Sequence, residues 1–338
     1  VSVLPKVSVV IPCYNEEKFI GACLDSLLAN TYPKDRLTLF VVDGGSTDKT
    51  LVILKEYTAT HSCIQHLHNP SRFTPRAFNL GIQADDSEVV IILGAHSRVA
   101  KDFVSENIAV LQEHPDAMCC GGVVTHLSGD AIAAGIAYAM TSLFGVGNAR
   151  FRTGGYEGWV DTVGSGAYRR RVFETCGLFD ETLVRNQDDE LSYRMHKHGM
   201  KLYLSPRIKS EYAVRSSYKK LFRQYYQYGF WKVYVNKKHR AVTTLRQLVP
   251  AAFVASLLMC LCLMLFNPEM FALPVAAYLL FYLSAGMLAS LRAGKYFFTA
   301  LPAFWVLHLA YGSGYLMGIL RLLVLGKEPA PAHTKVTR

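Results

Sequence analysis

"LFVVDGGSTDKT", residues 39–50, runs from four apolar residues through a polar loop with two adjacent glycines into a helix-starting pattern. The β-branched run 39–42 reads as a short strand. Gly44 and Gly45 permit a tight turn with close backbone approach, and Ser46 or Asp48 can cap the next helix. A strand that turns at once into a helix is half of a crossover unit, so the flanking sequence should repeat the theme.

It does. Strands are expected at 7–11, 39–42, 64–68, 89–93 and 117–124, and helices at 18–28, 47–57, 75–84 and 102–114. Such alternation predicts an α/β fold with a mostly parallel sheet and helices on both faces. Ligands of these sheets bind at the carboxyl ends of the strands. The segments leaving three strands stand out: "PCYNEE" (12–17), "DGGSTDKT" (43–50) and "GAH" (94–96). Each alone is an ordinary turn; together they point to a nucleotide pocket. No dinucleotide glycine fingerprint follows the first strand and no GxxxxGK[ST] occurs, which argues against NAD and P-loop chemistry.

The rest of the chain has a different character. Of 338 residues 51% are hydrophobic and the mean hydropathy is +0.18, high for a wholly soluble protein. The excess comes from 248–266, 271–291 and 297–320, which contain no Asp, Glu, Lys or Arg. Each is near the ~20 helical residues that cross a hydrocarbon core. Residues 207–246 hold eleven Lys or Arg and one acidic residue, Glu211, an excess matching the whole chain's +10. Basic residues ahead of a span mark the cytoplasmic side and attract anionic headgroups. No nucleic-acid motif accompanies them, so the expected partner is a membrane and not nucleic acid.

The layout expected is a cytoplasmic catalytic domain over 1–206, a basic amphipathic interfacial segment over 207–246, a membrane domain over 247–326, and a tail over 327–338. The setting expected is an inner or plasma membrane, crossed more than once. Three full crossings would leave Lys327, Lys335 and Arg338 outside, so the topology of the third segment stays open between spanning and re-entrant. Residues 131–147 are apolar and uncharged, consistent with either a membrane-dipping element or a buried helix. The eight cysteines show no paired spacing, and no secretory signal is recognisable.

"VSVVIPCYNEE", "VVDGGSTDKT", "NPSRFTPRAFNLGI", "VGSGAYRRRVFETCGLFDE" and "NQDDELSYRMHKHG", in this order over 7–199, resemble family 2 glycosyltransferases of GT-A fold. "LFRQYYQYGFWK" and the NPxRxxPxAxNxGI pattern resemble the exopolysaccharide subgroup typified by succinoglycan ExoA-type enzymes. The resemblance implies a nucleotide-sugar donor bound by Pro12, Tyr14, Glu16, Asp43, Ala95 and His96, with Asp43 accepting from the base. It implies Asp188 as general base, with Asp189 an unusual neighbouring carboxylate and Gln187 in place of a usual Glu. Acceptor contacts are expected from Gly166, Gln224, Tyr228 and Trp231. The last three lie where processive synthases carry QxxRW, which is not matched here; this argues against a long-chain polymerase.

In many members an Asp-x-Asp pair after the fourth strand clamps a metal diphosphate; here the two positions are Gly94 and His96. Neutral imidazole can bind a divalent ion, so His96 is the expected contact for Mn2+ or Mg2+. Arg72, Arg76 and Arg98 are further candidates for diphosphate contact. The function implied is an inverting transfer from a UDP-hexose to a polyprenyl-diphosphate-linked saccharide in exopolysaccharide or surface-glycan synthesis. Transfer to polyprenyl phosphate itself is the alternative reaction, and a degenerate nucleotide- or lipid-binding domain the alternative class.

Overall fold

The computed structural model describes residues 4–214 and 216–334. In chain order its elements are β1 (Val7–Cys13), α1 (Ile20–Leu28), β2 (Leu37–Asp43), α2 (Thr50–Thr60), β3 (Ile64–His68), α3 (Thr74–Gln83), β4 (Val89–Ile92), β5 (Ser97–Val99), α4 (Phe103–Glu113) and β6 (Ala117–Leu127). There follow α5 (Ala131–Thr141), α6 (Leu143–Val146), α7 (Arg150–Thr153), β7 (Gly158–Val160), β8 (Gly164–Arg169), α8 (Arg171–Cys176), α9 (Gln187–Lys197) and β9 (Lys201–Ala213). The last elements are α10 (Tyr218–His239), α11 (Val249–Phe266), α12 (Pro268–Leu291), α13 (Phe297–Gly318) and α14 (Pro331–Thr334). Two compact units result: Val1–His126 with Arg150–Ala213, and Leu127–Ala149 with Val214–Arg338.

In the first unit, nine strands form one sheet in the order β3-β2-β1-β4-β8-β6-β9-β5, with β7 on β9. Parallel pairing covers β1 to β4, as the alternation predicts. β8 then enters antiparallel between β4 and β6, so β6 points the same way as β4 without touching it. The sheet as a whole is therefore mixed. Alternation along β1 serves two cores. Val7, Val9 and Ile11 pack with α1 and α4, while Val10 packs with Phe40, Val90 and α3. The α3 contact is close enough that a Cβ on Gly81 would lie 2.3 Å from Val10 Cγ1. Position 206, where composition turns basic, falls inside β9, because this strand carries its charges while still paired in the sheet.

The second unit contains three helical stretches long and apolar enough to cross a membrane: Leu245–Phe266, Pro268–Leu291 and Gly294–Val324. They differ in surroundings. The second is almost wholly exposed, whereas half of the third is buried inside the protein. α10 crosses α13 at reciprocal glycines. A Cβ on Gly229 would lie 2.1 Å from the Tyr311 carbonyl oxygen, and one on Gly314 would lie 2.0 Å from that of Tyr226. Small residues of this kind let helix backbones touch. α5 is a buried helix here, with Ile136, Ala139 and Met140 against Ala300, Phe304 and Leu307 of α13. His308 ties three segments, donating from Nε2 to the Phe144 carbonyl at 2.7 Å while Nδ1 accepts from the Tyr282 hydroxyl.

Candidate active site

The loops leaving β1 and β2 are interlocked. Asn15, in the left-handed region at φ 55°, donates its N–H to Ser46 Oγ at 2.8 Å, and its Oδ1 accepts from Thr47 N at 2.8 Å. Glu16 N donates to Thr50 Oγ1 at 2.8 Å, and Glu17 Oε2 accepts from Lys49 N at 3.1 Å. Asp43 is buried at the centre of this arrangement. Its Oδ2 accepts from Gly45 N (2.8 Å) and Ser46 N (3.0 Å), and its Oδ1 from Ser46 Oγ (2.5 Å). An ionised carboxylate offers about four lone-pair directions, so roughly one is left for a ligand. Asp43 thus shapes the turn before it meets any base. Asp48 Oδ1 accepts from Thr50 N at 3.0 Å, the helix-capping contact expected of this loop.

Tyr14 lies under the Arg72 guanidinium, 5.3 Å from ring centroid to Cζ, and Pro12 pairs with Val42 at the same edge. The three candidate arginines separate cleanly. Arg72 is at the loops; Arg76 is exposed and paired with Glu181 at 3.2 Å; Arg98 is exposed on β5 opposite Glu211. At the end of β4, Ala95 is buried and turns its methyl into the core, so only its backbone can meet a donor. His96 sits edge-on to Tyr212 with centroids 4.6 Å apart, and its Nδ1 is 3.9 Å from Glu16 Oε1. A Cβ on Gly94 would stand 3.2 Å from His96 Cε1 and 3.6 Å from Nε2. The glycine leaves the space that the imidazole ring fills.

α9 begins with Asn186 at φ 63°, followed by three acids in its first turn. They have different fates. Glu190 is fully buried and grips Arg194 (Nη2–Oε2 2.8 Å), which donates in turn to the carbonyls of Cys176, Gly177 and Leu178 and fastens α9 to the end of α8. Asp188 Oδ1 accepts from the adjacent Asp189 N at 2.9 Å. Solvent touches Asp188, yet surrounding protein strips enough hydration to push its carboxyl above the usual range, with the nearby Asp189 adding to the rise and Arg152 opposing it. Tyr168 of β8 is buried within electrostatic reach of Asp188. Its ring covers Gly166, where a Cβ would lie 2.8 Å from Tyr168 Cε2 and 3.0 Å from Cys119 Sγ.

The sheet edge that carries the interlocked loops and the His96 turn falls within 8–177, and these residues match the model of glycosyl transferase family 2. The chain belongs to that family. It is a glycosyltransferase. A dolichyl N-acetyl-α-D-glucosaminyl phosphate 3-β-D-2,3-diacetamido-2,3-dideoxy-β-D-glucuronosyltransferase of Methanococcus voltae is 35% identical over 66% of this chain and 71% of its own length. The succinoglycan biosynthesis protein ExoA of Rhizobium meliloti is 28% identical over 92% of this chain and 94% of its own. A mannosyltransferase of Pyrobaculum calidifontis, solved with GDP-Man and Mn2+, superposes with a TM-score of 0.65 at 20% identity, covering 93% of this chain and 88% of that one. That likeness carries the fold, which is GT-A.

The turn expected to meet a metal, Gly94–His96, carries few ligand side chains. Among the described residues no three His, Cys, Asp or Glu side chains gather where one ion could be held. Glu16 and His96 supply one oxygen and one nitrogen side by side, a set that fits a divalent ion only when other oxygens complete the shell. The residues expected to contact acceptor divide between the two units. Gly166 is in the first; Gln224, Tyr228 and Trp231 are on α10 in the second. Gln224 donates to the Tyr228 hydroxyl at 2.9 Å, and Trp231 is buried with its indole N–H on the His333 carbonyl at 3.0 Å. Trp231 thus holds α14. Asn15, Thr50, His126, Arg152, Tyr168 and Tyr212 were not singled out by sequence. Only the first two carried a signal, as a polar loop residue and a helix-starting Thr beside recognised motifs.

Proposed function

We propose that this enzyme is an inverting, membrane-associated glycosyltransferase that moves a hexose from a UDP-sugar to a saccharide carried on polyprenyl diphosphate. The observation that carries the reading is Asp188: a solvent-touched carboxylate, raised in pKa by its surroundings, at the start of a helix anchored separately by Glu190 and Arg194. A carboxylate made more basic by its surroundings suits proton abstraction from a sugar hydroxyl. Asp188 takes that proton as the oxygen attacks the anomeric carbon from the face opposite the nucleotide, which inverts the configuration. The interlocked loops around Asp43 and Tyr14 hold the nucleotide, with Arg72 beside the same loops to meet negative charge.

His96, with Glu16 beside it, would hold a divalent ion together with the donor's diphosphate oxygens. A cation bound there neutralises charge on the departing diphosphate. The acceptor class is supported by the Methanococcus voltae relative, whose name places its sugar on a dolichyl phosphate, and by the exopolysaccharide assignment of the Rhizobium meliloti relative. Three apolar helices and the basic 207–246 segment suit an enzyme that meets such lipids, with the catalytic domain on the cytoplasmic side. A panel of nucleotide sugars offered to membranes holding the full chain, followed by analysis of the lipid product, tests the reading. One UDP-hexose should extend a lipid-linked saccharide with inverted configuration. A retained configuration, or a product on free phosphate lipid alone, would overturn the corresponding part.

A further inference from the structure

α7 lies over the carboxyl edge of the sheet. The Cβ position of Gly164 on β8 is 2.8 Å from Val124 Cγ2 and 3.0 Å from Phe151 Cδ2, which sets Phe151 against the end of β6 and the start of β8. Gly154, closing the same short helix, has its own Cβ position 3.7 Å from Val123 Cγ1. Arg152 therefore stands beside the end of β6, where His126 follows Val124 by two residues. The His126 ring is 6.0 Å from that of Tyr212, whose other neighbour is His96 at 4.6 Å. A row of groups thus leads from the donor turn toward Asp188: His96, Tyr212, His126, Arg152. Arg152 Cζ lies 5.3 Å from the Phe151 ring centroid, and its neighbour Arg150 is stacked 4.2 Å over the Tyr156 ring.

Two features of this row mark an oxyanion. His126 Nδ1 is buried with no hydrogen-bond partner among the described residues, a costly state for a polar nitrogen. Burial, then the charge of Arg152, hold its pKa down to about 4, so the ring is neutral and one nitrogen carries a proton to donate. The second feature is the cation itself. Arg152 acts electrostatically on both His126 and Asp188, so a phosphate brought to it would meet a positive charge that also acts on the carboxylate.

We propose that Arg152 and His126 form a phosphate-binding pair beside Asp188, the guanidinium holding an oxyanion to which the neutral imidazole donates its buried N–H. The oxyanion belongs to the donor's diphosphate or to the lipid phosphate of the acceptor, and the pair serves the transfer proposed above, on whose assignment of Asp188 it rests. Full-length enzyme in detergent decides between the sources. Affinity for UDP and for inorganic pyrophosphate is measured by calorimetry, and KM is compared between a phosphate-linked sugar acceptor and the same sugar on an uncharged alkyl tail. Loss of a charge-assisted contact predicts a change of about 10- to 100-fold in Arg152→Gln. Weaker UDP and pyrophosphate binding assigns the pair to the donor. A raised KM for the phosphate-linked acceptor alone, with UDP affinity unchanged, assigns it to the acceptor. Arg152→Lys, which keeps charge but not the planar fork, should fall between, and it carries the test should Arg152→Gln fail to fold. Wild-type values for both phosphate sources in either folded variant would overturn the pair, as would an equal loss with the uncharged acceptor at unchanged UDP affinity. Asp188→Asn separates the two ideas: if it transfers normally the base assignment fails, while the pyrophosphate and UDP results stand independently.

Discussion

Gly166→Ala distinguishes packing from acceptor contact at a position where both were conceivable. The added methyl would sit 2.8 and 2.9 Å from Tyr168 Cε2 and Cζ and 3.0 Å from Cys119 Sγ. Ordinary contacts between such atoms are near 3.5–4.0 Å, so the overlap is roughly half an ångström to one ångström on two side chains. Neither has room to retreat. Tyr168 and Cys119 are both buried, and the tyrosine ring is packed against Phe173 at 5.6 Å and Phe179 at 6.3 Å. Overpacking of this degree costs about 1–3 kcal/mol, offset by about 0.4–1 kcal/mol because alanine restricts the unfolded chain more than glycine. A net loss of about 1–2 kcal/mol should appear as a thermal midpoint lower by a few degrees, measured on the full chain in detergent. Tyr168→Leu in the same chain removes the obstructing ring atoms, so the double variant should lose less than the two single losses added together. Since Tyr168 adjoins Asp188, transfer should fall together with stability. An unchanged midpoint combined with a collapse of transfer would refute the steric account and return Gly166 to the acceptor.

Asp188→Asn should reduce transfer by at least ~100-fold while UDP still binds; near-normal turnover there, with collapse in Asp189→Asn, would move the base by one residue. A base must be ionised, and Asp188 is raised by burial first and Asp189 second, so the acid limb of the rate profile should lie above the usual carboxylate range near pH ~4. Asp189→Asn removes one upward influence and should move that limb to lower pH, with Arg152 and Tyr168 still in place; a stationary limb would exclude Asp188 as its source. His96→Ala should weaken Mn2+-dependent UDP binding roughly 10-fold or more, and wild-type transfer should need added metal; full activity in EDTA would leave Arg72 to meet the diphosphate. Arg194→Gln strands the buried Glu190 carboxylate and should cost about 3 kcal/mol in stability, recovered in part by Glu190→Gln; an unaffected unfolding midpoint would deny this anchor its role.

The parallel half of the sheet was legible because β1, β2 and β4 are short apolar runs followed at once by a polar loop. β3 matches its expected limits residue for residue, and β1, β2 and β4 differ only at their ends. β8 was not foreseen. "GSGAYR" has two glycines and no alternation, and its place between β4 and β6 is settled by pairing with residues some forty to eighty positions away. The same holds for the site. "DGGSTDKT" reads locally as a turn into a helix and "NQDDEL" takes its role only from the family order, whereas His96, His126, Arg152 and Tyr212 meet only because β9 returns antiparallel to β5 and α7 folds over β6. At Ala95 successive residues leaving a strand point opposite ways, so its methyl goes to the core and its backbone alone is left for a donor. Trp231 looked available because aromatic and basic residues alternate around it; the contact that covers it comes from residue 333, a hundred positions later.

The glycine crossing of α10 and α13 has a mechanical consequence. Where backbone meets backbone, no layer of flexible side chains absorbs sliding, so these helices turn as one body. α13 belongs to an apolar helical stretch of 31 residues, longer than a typical bilayer core requires, and such a stretch adjusts to a thinner membrane by tilting. Once inserted, it would carry α10 with it, and with α10 the lysines and arginines along that helix. The basic face would then read bilayer thickness as an angle, making lipid chain length a variable to which this enzyme responds even when headgroup charge is held constant.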